Sequence, residues 1–161
     1  MALEIERKWL IDPRDLPFDL ESFPHHHIIQ SYLSFHPQIR LRDIDRGSLY
    51  LMTVKVGTGS EESVLARQEF EAQISPDSYQ RLIEDKRGKT LEKTRYQVPD
   101  GQGHIFEIDL YEGEFAGLAV AEMEFRTEEE ALAYPDPSWA GQDISADPAY
   151  KNVVMAQEDL S

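Results

Sequence analysis

A chain of 161 residues with 16 Lys and Arg against 31 Asp and Glu, a net charge of −15 and no cysteine excludes several classes at once. Disulfide scaffolds and thiolate metal sites are ruled out, nucleic acid and anionic membranes would be repelled, and no apolar run approaches the roughly 18 residues of a membrane span. The length and the 40% hydrophobic content suit one domain over residues 1–161, and an N-terminus without a basic-then-apolar leader makes a cytoplasmic location the expectation.

In chain order, alternation and turn residues predict eight strands. In the first, at 2–11, Glu4, Glu6 and Lys8 share one face and Ile5 and Trp9 the other. Asp12-Pro13 ends it, and 12–25, with three prolines, reads as a loop. The strand 26–36 sets Gln30, Tyr32 and Ser34 opposite Ile29, Leu33 and Phe35. After Pro37, 38–45 carries Arg40 and Arg42 opposite Ile39 and Leu41. Beyond the Arg46-Gly47 turn, 48–57 carries Thr53 and Lys55. A longer turn at Gly57-Thr58-Gly59-Ser60 leads to 63–74, with Arg67, Glu69, Glu71 and Gln73 in one row. Ser75 as N-cap and Pro76 at the first helical position predict a helix running to about Gly88. Strands follow at 90–98 (Lys93, Arg95), 104–112 (Glu107, Asp109) and 118–126 (Glu122, Glu124, Arg126), the first two joined at Pro99-Asp100-Gly101-Gln102-Gly103. Thr127 and Glu130 form a capping box for a short helix that Pro135 stops, and the tail from about Pro148 to Leu160 carries a third helical stripe.

Each strand has a polar and an apolar face. Two architectures satisfy that pattern: a sheet with one wet face, or an eight-stranded barrel with the polar rows inside. The charge distribution favours the barrel. The polar rows hold eight of the 16 cations beside eight of the 31 acids, whereas the rest of the chain is strongly acidic. Confined charges require partners or bound ions. Oxygen-only carboxylate pairs suit Mg²⁺ or Mn²⁺, and arginine rows suit phosphate oxygens, so the ligand implied is a short polyphosphate with its metal ions.

The motifs occur in the order seen in a known family. Glu4-x-Glu6-x-Lys8 resembles the signature of the CYTH domain, or triphosphate tunnel metalloenzymes. The resemblance continues through Gln30-x-Tyr32-Leu33, Ile39-Arg40-Leu41-Arg42, Thr53-Val54-Lys55, Arg67-x-Glu69-x-Glu71 and Lys93-Thr94-Arg95-Tyr96. Further on come Glu107-x-Asp109-x-Tyr111-x-Gly113, Gly117-Leu118, Ala121-Glu122-x-Glu124 and Asp147-Pro148-x-Tyr150-x-Asn152. Together they cover about residues 2–152; Val56 before Gly57 departs from the Lys-Gly of many members. The resemblance implies an α+β fold, an eight-stranded antiparallel β-barrel forming a triphosphate tunnel with helices packed outside. It implies a divalent-metal-dependent hydrolase. Inorganic triphosphate is the expected substrate, with class IV adenylate cyclase, thiamine triphosphatase and a non-catalytic polyphosphate-binding module as alternatives.

Roles are assigned on these positions. Glu4, Glu6 and Glu124 are expected to hold or support a first Mg²⁺ or Mn²⁺, and Glu107, Asp109 and Glu122 a second metal position. Lys8, Arg40, Arg42, Arg67, Lys93 and Arg95 are expected to grip phosphate. Glu69 and Glu71 either ligate metal or orient arginines. Lys55, with a pKa lowered by its cationic neighbours, and Tyr32 are the expected catalytic pair. The partner expected is a small triphosphate, with no nucleic acid and no membrane; a homodimer is left open. His25-His26-His27 reads as a surface run, because no further histidine lies nearby in sequence. The Gly57-x-Gly59 segment lacks the Gly-Lys-Ser/Thr of a P-loop.

Overall fold

The computed structural model describes residues 2–57 and 66–157, with side chains described within 5–56 and 68–157. Alternating sequence forms nine strands among these residues: β1 (Ala2–Ile11), β2 (His25–Phe35), β3 (Gln38–Ile44), β4 (Leu49–Gly57), β5 (Ala66–Ile74), β6 (Arg87–Pro99), β7 (Ile105–Glu112), β8 (Ala119–Glu124) and β9 (Ala140–Asp143). Three short helices accompany them, α1 (Pro76–Leu82), α2 (Glu128–Ala133) and α3 (Asn152–Met155). The Ser75 side chain accepts from the Ser78 amide to start α1, and Thr127 accepts from the Glu130 amide to start α2, as their capping residues predict. The α1 helix is shorter than expected: a 3₁₀ turn at Ile83–Asp85 replaces its last turn, because β6 begins at Arg87. The turn expected at 58–60 lies outside the described residues.

All pairings are antiparallel, in the order β5-β4-β3-β2-β6-β7-β8-β1-β9. The closed eight-stranded barrel expected from the sequence is therefore corrected. β1 meets β5 only along a seam of Ala2–Ile5 against Glu69–Ala66. From Trp9 onward β1 pairs instead with the unpredicted β9, Trp9 opposite Asp143 and Ile11 opposite Ala140. The remainder of β5, from Phe70 to Ile74, has a ladder to β4 alone among the described residues. The result is a nine-stranded antiparallel sheet, strongly curved and left open beyond a short seam. Twist carries β1 and β5 apart along their lengths, and β9 covers the edge that β5 leaves.

The outer face carries the main core. Ile5, Trp9, Tyr96, Val98, Phe106, Ile108, Ala121 and Met123 pack together with Ala131 of α2 and with Phe18, Phe23 and Trp139 from the connecting loops. Each large side chain buried there contributes about 1.5–3 kcal/mol. The sequence pattern places Arg7 in this apolar company, and its guanidinium is satisfied locally. It donates to the Ala131 carbonyl at 3.0 Å and to Asp143 and Asp136, and it lies 4.8 Å over the Trp9 ring. One cation thus ties β1 to α2 and β9.

Helices outside the sheet are half of the picture. On the outer face Tyr79 of α1 stacks on Tyr50 of β4 at 4.3 Å between ring centroids. The tail does the reverse: α3 covers one end of the concave face, where Tyr32, Leu91 and Ala156 form a small apolar cluster with Phe35, Val153 and Met155. The Lys89 amide donates to the Ala156 carbonyl at 2.6 Å. Gly88, expected to end α1, instead makes this docking feasible. It holds φ +67°, and a Cβ there would lie 2.1 Å from the Ala156 carbonyl oxygen and 2.9 Å from the Phe35 ring. Gly88→Ala is therefore expected to cost about 1–3 kcal/mol in urea denaturation and to make the segment after residue 147 more sensitive to protease. Unchanged stability and unchanged cleavage would count against this packing.

Candidate active site

Period-2 rows from β1 to β8 converge on one cavity of about 280 Å³. Glu6 and Lys8 come from β1, Tyr32 from β2, Arg40 and Arg42 from β3, Lys55 from β4, Glu69 and Glu71 from β5, Arg95 from β6, Glu107 from β7, and Glu122 and Glu124 from β8. Register explains the clustering: Tyr32 lies opposite Arg40, Lys55 opposite Glu69, Lys8 opposite Glu122 and Glu6 opposite Glu124. Ser145, Asp147, Tyr150, Lys151 and Asn152 complete the wall from the tail. These tail residues received no role from the sequence, although Asp147, Tyr150 and Asn152 stood in a motif. Their non-alternating loop gives no sign of which face it will cross. Lys8 Nζ donates to the Tyr150 carbonyl at 2.7 Å, and the Tyr111 hydroxyl donates to Asn152, so the segment is anchored to β1 and β7.

Depth divides the expected site residues. Asp109 and Lys93 do not line the cavity; both are buried behind it, with Lys93 Nζ 2.9 Å from Asp109 Oδ2. Arg95 reaches Asp109 with two parallel bonds, Nε to Oδ1 at 2.7 Å and Nη2 to Oδ2 at 2.9 Å, and Glu107 with Nη1 at 3.1 Å. Burial by itself would raise the Asp109 carboxyl, but Arg95 and Lys93 outweigh it and hold it well below the usual carboxylate range. Burial also opposes ionisation of Glu122, yet Lys8 and Arg95 pull its pKa down. Lys93 is the lysine that the fold lowers, to about 8, chiefly by burial.

The β3 arginines differ from Arg95. Arg42 forms an ion pair with Glu71, which also accepts from Thr53 Oγ1 at 3.2 Å. Burial and the nearby Arg40 and Arg95 lower the Arg42 pKa to about 10. Arg40 Nε and Arg42 Nε are buried with no hydrogen-bond partner among the described residues. Tyr32 is fully buried, its hydroxyl accepting from Gln30 Nε2 at 2.8 Å, and burial raises its pKa, so the phenol stays protonated at neutral pH. The side chains of Glu4 and Arg67 lie outside the described residues. Arg126, counted among the inward rows, falls beyond the end of β8 and is exposed.

A cation would meet oxygen donors only at this cavity: Glu6, Glu69, Glu107, Glu122 and Glu124, with Asp147 from the tail. That chemistry fits Mg²⁺ or Mn²⁺. A separate donor set, His27, Glu92 and Glu112, brings one ligand atom each to within 4.8 Å of one another. These three lie on the opposite face, since Glu92 and Thr94 alternate with Lys93 and Arg95. Among the described residues no helix is long and apolar enough to cross a membrane.

A cavity lined by carboxylates together with arginine and lysine side chains defines a metal-and-phosphate type of site, and comparison with known proteins identifies the same class. No family model matches the chain. It is 37% identical over 157 residues to an inorganic triphosphatase of Nitrosomonas europaea, covering 95% of this chain and 96% of that protein. It is 32% identical over 127 residues to an inorganic triphosphatase of Acetivibrio thermocellus, covering 76% and 75% respectively. Its fold superposes on the crystal structure of inorganic triphosphatase NE1496 with a TM-score of 0.68 at 32% identity, over 99% of this chain and 97% of that one. A Hippeastrum protein described as a putative adenylyl cyclase with a dominant triphosphatase activity shares the fold at 18% identity, with a TM-score of 0.57 over 82% of this chain and 83% of that one. The chain belongs to the CYTH, or triphosphate tunnel metalloenzyme, family.

The buried ion cluster makes acid stability a direct readout. Asp109 and Glu122 titrate lower in the folded chain than their ordinary values of 3.8 and 4.5. In that window the unfolded chain binds more protons, so stability is complete above about pH 5 and falls as pH falls. Asp109→Asn should lower stability at pH 7 by about 3 kcal/mol or more, since it strands Lys93 and Arg95, and should flatten the acid limb. Urea melts between about pH 3 and 7 measure both; an unaltered acid limb in Asp109→Asn would contradict the assignment.

Proposed function

We propose that the cavity hydrolyses inorganic triphosphate to pyrophosphate and phosphate, with Mg²⁺ or Mn²⁺ as cofactor. The observation that carries this reading is the convergence on one cavity of Arg40 and Arg42, whose buried Nε donors have no hydrogen-bond partner among the described residues, with Lys8, Lys55 and Arg95 and the carboxylates of Glu6, Glu107, Glu122 and Glu124. A buried guanidinium donor without an acceptor is costly. Phosphate oxygens supply acceptors and opposite charge at once. The similarity to two inorganic triphosphatases and the small cavity support a compact anion over a nucleoside, which would need a further, less charged wall. The net charge of −15 argues against nucleic acid as partner.

In this reading Arg40, Arg42 and Lys8 clamp phosphate oxygens. Arg95 adds charge to the wall in an orientation set by Asp109. Glu71 orients Arg42, while Glu6, Glu107, Glu122 and Glu124 would hold the metal. When bound, a divalent ion supplies neutralisation of phosphate charge and a more acidic water. Lys55, opposite Glu69 at the β4–β5 pair, is assigned to proton handling or water orientation. Tyr32, held by Gln30 and kept protonated, keeps its O–H free to donate to a phosphate oxygen.

Phosphate release from triphosphate is expected to stop in excess EDTA and return with Mg²⁺ or Mn²⁺; turnover persisting in chelator would remove the metal from the reading. A panel of triphosphate, pyrophosphate, ATP and thiamine triphosphate is expected to rank inorganic triphosphate first in kcat/KM. Formation of cyclic AMP from ATP would replace the reading with a cyclase.

Roles separate in the kinetics. Arg40→Ala is expected to raise KM about 10–100-fold with a small change in kcat, as loss of a charge-assisted bond made throughout the reaction. Tyr32→Phe and Lys55→Ala are expected to lower kcat with little change in KM. Unchanged kcat in both would leave these two residues a purely structural part.

A further inference from the structure

We infer that His27, Glu92 and Glu112 form a second metal site, on the outer face of the sheet, which takes a transition ion of the Zn²⁺ type rather than the Mg²⁺ of the cavity. One nitrogen serves both carboxylates: His27 Nε2 is 2.6 Å from Glu92 Oε2 and 3.5 Å from Glu112 Oε2. Tetrahedral zinc with bonds of about 2.0–2.2 Å separates its ligand atoms by about 3.3–3.5 Å, so small rotations of the carboxylates would fit an ion among them. Glu112 is steadied by Thr94, whose hydroxyl donates to Oε1 at 3.5 Å, leaving Oε2 turned to the histidine.

Register gives an independent reason for a cation here. Glu92 and Glu112 are directly opposed on β6 and β7, and like charges in that relation repel. His27 of β2 sits against the same pair, and a divalent ion would neutralise both carboxylates while the imidazole stays neutral. The other histidine cluster lacks this geometry. His104 turns Nε2 to Glu130 at 2.7 Å and Nδ1 to Asp100 at 3.5 Å, so opposite ring edges face the two acids and no single ion reaches both through the ring.

Imidazole selects the metal. Zn²⁺, Co²⁺ and Ni²⁺ accept nitrogen with carboxylate, whereas Mg²⁺ keeps to oxygen and water. Metal at Nε2 would place the ring proton on Nδ1, which is buried and lacks a hydrogen-bond acceptor among the described residues. Three ligands without that outer support predict exchangeable rather than permanent binding. The ion would pin β2, β6 and β7 from behind, on the reverse of the strands bearing Lys93, Arg95 and Asp109.

The test is titration of ZnCl₂ into the full chain by calorimetry, with excess Mg²⁺ present to occupy the oxygen-lined cavity. Wild-type protein should bind one Zn²⁺ that Mg²⁺ does not displace. His27→Gln should weaken that event by at least about tenfold, as should Glu112→Gln, whose partly exposed side chain makes misfolding a lesser concern. His104→Gln should leave it unchanged. The urea midpoint should rise with Zn²⁺ in wild type and in His104→Gln but not in His27→Gln. Equal Zn²⁺ affinity in wild type and both site variants, loss in His104→Gln alone, or no Zn²⁺ binding in wild type would each overturn the inference.

Discussion

Asp109 sits without solvent contact between two cations, and the concave face is arranged around that fact. A lone buried carboxylate would protonate, and a lone buried Lys93 would lose its proton; together with Arg95 they remain ionised because each compensates another. The bidentate grip of Asp109 fixes the guanidinium plane of Arg95 and directs its other edge toward Glu107 and Glu122. Those two acids line the cavity, so a contact behind the wall sets the electrostatics of its surface. Residues read as ligands from alternation thus separate into a supporting layer and a contacting layer.

The β3 arginines occupy the complementary position. Glu71 takes part of the Arg42 charge, but buried Nε donors on Arg40 and Arg42 find no acceptor among the described residues. The cost of burial, with repulsion from the Arg40 and Arg95 guanidiniums, lowers the Arg42 pKa, a cost that an anionic ligand would relieve. Acids therefore surround Arg95 and Lys93, while Arg40 and Arg42 line the same cavity with Glu71 beside Arg42.

Curvature brings these walls together, and the tail decides how far the space extends. The polar rows give way to Leu10, Leu91, Tyr111 and Val120 at one end of the concave face, and residues 144–156 lie over this apolar end. Lys8, Tyr111 and the glycine at position 88 receive them. On the outer face Arg7 binds α2 and β9 to β1, so the strand with the acidic signature is held from behind by an unrelated set of bonds.

Alternation at period two is a local property, and it was legible by sequence alone. It assigned Glu6, Lys8, Tyr32, Arg40, Arg42, Lys55, Glu107 and Glu122 to one face, and the ordered motifs named the family. Capping residues likewise marked the starts of α1 and α2. Tertiary structure decided what alternation does not encode: depth, partner and closure. Asp109 and Glu107 share a row, yet only Glu107 meets the cavity, because twist and neighbouring side chains set how deeply each position is covered. Lys93 is lowered chiefly by burial, which depends on packing and not on charge pattern. β9 and the short β1–β5 seam replace a closed barrel because strand edges pair through backbone groups that every residue carries. His27 finds Glu92 and Glu112 only through the register of three strands, a relation between distant segments that a one-dimensional pattern has no means to express.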